Sequence, residues 1–305
     1  MINSFAHIKW FVDSNEILKT PVDAYPWSIT QIALLVFIAA TIVGIGVYVE
    51  RLFPEPPKNF LNKVNSLKPL ILRIFTSLIG IFLVVISIFW SIVLTPEVSA
   101  DLNWITQGLR ILQLACGLLL ISGYKPTIAS KILAVLFLVT GLFAGPVFYL
   151  ENLLLLGACI YIYSYYTGSK AFKKKWSNLA LPILRVTTGV SLIAFAFSEK
   201  LVHPELSQVF LGQHNWNMFS GLLSDSAFII TAGLVEVIFG LLFIFGIATR
   251  IATLSIALLF ATSVVTMLIT KGQWEVEDLP VYAVAVVLVA YGSGTRLRLN
   301  KSRQK

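Results

Sequence analysis

Nine runs of apolar residues, separated by loops that alternate in charge, constrain this chain more than any other feature. The runs cover 27–49, 69–94, 104–122, 127–146, 150–167, 180–198, 227–247, 250–270 and 279–295. One crossing of the hydrocarbon core takes about 20 apolar residues. Lipid offers no partners to a bare backbone, so such runs fold as helices that satisfy their own hydrogen bonds. The chain has 305 residues, and the runs leave little of it for a soluble domain. An all-α polytopic membrane protein follows. Composition excludes the competing classes. At 57% hydrophobic and 12% charged residues, with a mean hydropathy of +0.84, the sequence is no disordered chain, coiled coil or ordinary water-soluble enzyme.

The loops predict orientation. Loop 50–68 holds Arg51, Lys58, Lys63 and Lys68, whereas the next holds Glu97 and Asp101. Lys125 and Lys131 flank the following turn, Glu151 the one after, and then come Lys170, Lys173, Lys174 and Lys175. Loop 199–226 is acidic on balance, Arg250 marks a basic turn, 271–278 carries Glu275, Glu277 and Asp278, and the tail is basic. The excess of Lys and Arg on one side predicts nine helices with the N-terminus outside and the C-terminus in the cytoplasm. The break at Ala144-Gly145-Pro146 is needed to keep this alternation. Trp27, Trp104, Trp216 and Trp274 fall near the outer boundary, as an aromatic belt would place them. The net charge of +8 is absorbed by orientation, so nucleic acid is not an expected partner; the lipid bilayer is.

Beyond the first helix the chain reads as two four-helix halves. Gly117-Leu-Leu-Leu-Ile-Ser-Gly123 recurs as Gly240-Leu-Leu-Phe-Ile-Phe-Gly246, and Leu72-Arg73-Ile74-Phe75-Thr76 as Leu184-Arg185-Val186-Thr187-Thr188. Both halves start on the basic side, which predicts parallel repeats. The expected division is 1–68 (tail, first transmembrane helix and cytoplasmic loop), 69–168 (first four-helix repeat), 169–179 (basic linker) and 180–305 (second repeat with a basic tail). Gly108, Gly117, Gly233 and Gly240 are expected where helix backbones approach closely. Arg73 and Arg185 are expected to snorkel to the inner headgroups, and the tyrosines at 161, 163, 165 and 166 to anchor that boundary.

Several segments of the second half carry a resemblance. They are Phe197-Ser-Glu-Lys-Leu-Val-His-Pro204, Ala232-Gly-Leu-Val-Glu236, Gly240 to Arg250, and Gly292-Ser-Gly294 before the basic tail. Together they resemble the DoxX family of small four-helix membrane proteins, which includes the DoxD and MauE relatives. The resemblance covers roughly 180–298 and implies two DoxX-like four-helix bundles plus one extra N-terminal transmembrane helix. It also implies a bacterial cytoplasmic (inner) membrane, and a subunit of an extracytoplasmic redox or sulfur/thiol process linked to quinone. The first half departs from the pattern: Gln113 stands where the second half has Glu236, and Ile88 where it has Lys200.

Polar residues inside the apolar runs are the candidate site. Glu236 is foremost, because a carboxylate in a membrane span is costly and must be protonated or paired. Arg110 and Lys200 are the competing partners. Gln113 marks the matching position of the first half, and Glu199 and His203 lie beside Lys200. Segment 205–225 alternates apolar and polar residues and is expected to lie as an interfacial helix over the bundle mouth. Cys116 and Cys159 sit inside apolar runs without a C-x-x-C and read as packing residues. No metal site, intrinsic cofactor, Walker loop, zincin motif, nucleophile elbow or dinucleotide fingerprint is recognisable. A redox role therefore requires a membrane or extracytoplasmic redox partner protein. Two alternatives stand beside it: a small-solute or proton pathway using Glu236, and a non-catalytic assembly or cargo-binding scaffold.

Overall fold

The computed structural model describes residues 29–52, 57–99, 103–202, 204–214, 217, 220–271, 276–294 and 297. It is an all-α helical integral membrane protein with one small hairpin. The elements are α1 (Ile29–Leu52), α2 (Lys58–Ser66), α3 (Lys68–Phe89), β1 (Ile92–Val93), β2 (Thr95–Ser99), α4 (Trp104–Ser122), α5 (Pro126–Ala144) and α6 (Pro146–Glu151). They continue with α7 (Leu153–Tyr166), α8 (Lys170–Ala196) running into a π turn (Phe197–Leu201), α9 (Glu205–His214), α10 (Asp225–Phe245), α11 (Thr249–Lys271) and α12 (Leu279–Tyr291). Every predicted apolar run coincides with a helix.

Five helices among the described residues are long and apolar enough to cross a membrane: α3, α4, α5, the stretch Lys175–Leu201, and α10. α7 and α12 are shorter than their predicted runs, with 14 and 13 residues. At 1.5 Å per residue each spans only about 20 Å, against a hydrocarbon core of about 30 Å. Local chemistry sets these lengths. Gly145, at φ 99°, ends α5 and Pro146 starts α6, so the predicted break lies where expected. A second break at Asn152 then shortens α7, and Gly292, at φ 69°, ends α12.

Three further boundaries differ from the sequence reading. The run 69–94 stops being helical at Phe89, and an antiparallel hairpin follows. Pro96 resists helix there, β-branched residues favour strand, and Ser91 and Leu94 take left-handed φ values. The expected linker 169–179 is helical from Lys170 onward. Ser169 Oγ caps it by accepting from the Phe172 N–H, and Phe172 stacks on Trp176 one turn later. Of the expected interfacial helix 205–225, the described residues are helical over Glu205–His214, and Val209, Phe210 and Leu211 are buried rather than facing lipid.

Helices α3, α4, α5, α7, α8, α10, α11 and α12 pack in succession, and α12 returns to α3; α1 packs along α10. A glycine-on-glycine crossing occurs twice. A Cβ on Gly80 of α3 would lie 2.7 Å from the Gly117 carbonyl oxygen of α4, and one on Gly189 of α8 would lie 2.5 Å from that of Gly240 in α10. Gly233 meets the side chains of Leu201 and Lys200, but Gly108 faces open space, contrary to expectation.

One end of the bundle is basic, and its arginines do not snorkel. Arg73 donates to the carbonyls of Leu120 and Ile121 at the end of α4. Arg185, fully buried, donates to Ser293, Leu297 and Ile244, and Arg250 to Val289 and Ala290 at the end of α12. The last carbonyls of a helix lack intrahelical donors and carry the negative end of its dipole, so a guanidinium fork satisfies both. The tyrosines divide as well. Tyr161 is buried edge-on against Phe75 at 5.3 Å, whereas Tyr165 and Tyr163 lie beneath the ammonium groups of Lys68 and Lys131. Of the predicted belt, Trp104 is exposed; Trp27, Trp216 and Trp274 lie outside the described residues.

Candidate functional site

The site forms at the acidic end, where α8 gives way to the π turn beside α10. Within the turn the Val202 N–H reaches back five residues to the Phe197 carbonyl at 2.9 Å, and the wider winding places Glu199 and Lys200 on the inner wall. Close approach to α10 depends on Gly233. A Cβ there would lie 2.9 Å from Leu201 Cδ2 and 3.1 Å from Lys200 Cβ. Glu236 follows Gly233 by three residues and so stands on the same face of the helix. It lies about 16 Å along α10 from Asp225.

The resulting geometry is an ion pair with a second acid attached. Lys200 Nζ lies 3.1 Å from Glu236 Oε1 and 3.4 Å from Glu199 Oε2. Glu199 is fully buried and Glu236 nearly so, at 8% exposure. α9 pins the turn from above, since Ser207 Oγ donates to the Glu199 carbonyl at 2.9 Å. Asn217 closes the loop after α9 by donating to the Leu223 carbonyl and to Asp225 Oδ1, both at 2.9 Å.

Lys200 and Glu236 line a cavity of about 50 Å³. Glu277 and Asp278 join them from the start of α12, Asn152 from the α6–α7 break, Thr95 from the hairpin, and Thr188 and Ser191 from α8. The rest of the wall is apolar, with Phe82, Phe195 and Phe260 among its residues. The lining thus comes from both halves of the chain. Three carboxyl groups and one ammonium share it, with Glu199 attached behind. An acid-rich buried wall of this kind is suited to holding a group that brings positive charge, a proton or a small cation.

The six candidate residues separate cleanly. Glu236, Lys200 and Glu199 are brought together. Arg110 is not; its Nη1 donates to Ser91 Oγ at 2.8 Å, and it does not line the cavity. Gln113 is fully buried in the first half, where its Oε1 accepts from the Leu94 N–H at 2.8 Å and its Nε2 donates to Ser87 Oγ and the Ile92 carbonyl. His203 lies outside the described residues. Glu277 and Asp278 belong to the lining, although the sequence reading used them only to mark the outer side. The signal that could have revealed them is their place directly before Leu279-Pro280, since acids at the mouth of an apolar helix are drawn inward with its first turn. Cys116 and Cys159 are buried as expected, and the Cys116 thiol contacts the Ala129 carbonyl. No metal-ligating cluster exists among the described residues.

Compared with protein-family models, with curated proteins and with solved structures, the chain finds no match.

Proposed function

We propose that the protein takes up and passes protons through the acid-lined cavity, with Glu236 as the titrating group and Lys200 as its internal counter-ion. The Lys200–Glu236 contact of 3.1 Å on the wall of that cavity carries this reading. An ion pair that merely fixed helix register would need no adjoining space and no additional acids. A cavity of about 50 Å³ has room for a few waters. Water beside a buried carboxyl group supplies a route for protons. The scaffold alternative predicts a closed bundle around Glu236 and is disfavoured by the same cavity.

The architecture in this proposal is a duplication within a nine-helix chain, N-terminus outside and C-terminus in the cytoplasm. Two local features at an offset of 123 residues support it: Gly123 and Gly246 have φ 70° and 68°, and Lys125 and Ala248 have φ 46° and 44°. The paired glycine crossings support it too, though they relate α3 to α8 by 109 residues. By that register Ser91, not Ile88, is the counterpart of Lys200. The contacts of α7 with α8 and of α12 with α3 join the fourth helix of each half to the first of the other, as an axis along the membrane normal would require.

A DoxX-like role in a bacterial cytoplasmic membrane is the second reading. What favours it is that two of the resembling segments, Phe197–Pro204 and Ala232–Glu236, supply the π turn and its partner. In that reading the cavity would deliver protons to an extracytoplasmic, quinone-linked redox partner.

Proton uptake by vesicles containing the purified protein, driven by an imposed potential, tests the proposal. Glu236→Gln is expected to reduce it at least tenfold. Uptake equal to wild type in that variant removes the pathway.

A further inference from the structure

At the basic end, α2 presents an exposed apolar face. Its nine residues wind Phe60, Leu61 and Val64, with Leu67 directly after them, onto one side, and leave Asn59, Asn62, Lys63, Asn65 and Ser66 around the rest. Val64 is buried and ties the helix to the bundle, whereas Phe60, Leu61 and Leu67 are exposed. That face continues along α3. Leu67 keeps the winding, since its N–H donates to the Lys63 carbonyl at 3.1 Å and its carbonyl accepts from the Ile71 N–H at 2.9 Å. Phe60, Leu67, Ile74, Ile81 and Ile88 recur every seventh residue, are between 38% and 54% exposed, and so form one stripe down both helices.

Depth and charge together select what covers the α2 part of the stripe. The 22 residues of α3 measure about 33 Å and already fill the ~30 Å hydrocarbon core. α2 therefore lies at headgroup depth, past a break made by Pro69, which has no N–H for the helical ladder. A helix with one apolar face at that depth rests along the bilayer surface. Three partly exposed side chains fall far short of the roughly 800 Å² per partner that a stable contact with a second copy needs. The surroundings are cationic. Lys63, Lys125, Lys131, Lys170, Lys173 and Lys175 are exposed at this end, and Glu50 is its one acid among the described residues. Aromatic rings hold two of the ammonium groups at the boundary: Lys131 Nζ lies 5.6 Å from the Tyr163 ring and Lys175 Nζ 5.5 Å from that of Trp176. Phe172 packs on both rings. The complementary charge at headgroup depth is the phosphate of an anionic lipid.

We propose that α2 and these lysines form a docking surface for anionic phospholipid headgroups in the leaflet at the basic end, with Phe60, Leu61 and Leu67 immersed beneath them. The surface lies at the opposite end of the bundle from Glu236 and is independent of what the cavity conducts.

The full chain in nanodiscs of phosphatidylcholine and phosphatidylglycerol in equal parts tests it. Nitroxide labels go on Phe60→Cys and, separately, on Asn62→Cys; Cys116 and Cys159 are buried and stay unlabelled. The label at 60 is expected to meet a water-soluble nickel quencher at least fivefold less than the label at 62. Native mass spectrometry of unlabelled wild type, released from the disc, is expected to show phosphatidylglycerol retained at least fivefold over phosphatidylcholine. The triple variant Lys63→Gln/Lys131→Gln/Lys175→Gln is expected to lower that preference at least threefold. Wild-type retention and the two labels decide the matter if the triple variant fails to fold. Equal quenching at 60 and 62, retention without headgroup preference, undiminished preference in a folded triple variant, or spin–spin broadening between labels at 60 from a second copy would each overturn the proposal.

Discussion

Gln113 in α4 and Glu236 in α10 each stand four residues before a glycine of a close helix crossing, Gly117 and Gly240, and their surroundings differ in kind. Around Gln113 the chain turns back as a hairpin, and backbone groups of Ile92 and Leu94 satisfy the amide at 3.1 and 2.8 Å. That pocket is neutral and sealed. Around Glu236 the hairpin is replaced by a π turn and α9, the backbone partners by an ammonium, and the seal by a cavity. One extra oxygen in place of a nitrogen turns a self-satisfied core position into one that needs an external proton or a counter-ion. On the proposed function, the first half closes its polar position with backbone groups, and the second keeps its own beside a cavity.

Lys200→Met should separate the halves most strongly. Breaking a buried pair by removing one partner typically costs about 3–5 kcal/mol. The expected result is a large drop in melting temperature, restored in good part when Glu236→Leu removes the orphaned carboxyl as well. If Lys200→Met alone melts like wild type, the pair is solvated and the contrast with Gln113 disappears.

The glycine crossings should behave alike in both halves. Gly80→Ala and Gly189→Ala each place a methyl within 2.7 and 2.5 Å of a backbone oxygen that cannot yield without parting the helices. Each should lower stability by about 1–3 kcal/mol, measured by thermal unfolding in detergent. A cost confined to one half would break the parallel.

Gln113→Leu should cost a similar amount, about 1–3 kcal/mol, because it leaves the Leu94 N–H and the Ile92 carbonyl without their partner while filling the space. Its melting curve should shift, and proton uptake should stay at the wild-type level.

Much of this contrast is written in the sequence, for a physical reason. An acid within an apolar run is conspicuous because lipid penalises it, and that alone singled out Glu236. The helices were legible because a backbone in lipid has few options. The choice between Arg110 and Lys200 was not legible. Both lie toward the outer ends of their runs, and which one reaches Glu236 depends on how helices pair and on one additional residue per turn at 197–201. No periodicity announces a π turn. The expectation that Arg73 and Arg185 snorkel fails because only the folded bundle shows the helix termini that they, and Arg250 with them, cap. Glu277 and Asp278 were visible, but acids in a loop and acids drawn into a cavity look the same until α12 is docked against the first half.

Potential-driven proton uptake by vesicles carrying wild type, Glu236→Gln or Gln113→Leu tests the account most directly. It should fall at least tenfold in the first variant and remain unchanged in the second. Equal uptake in all three, or equal loss in both variants, would contradict the claim that the chemistry resides in the second half.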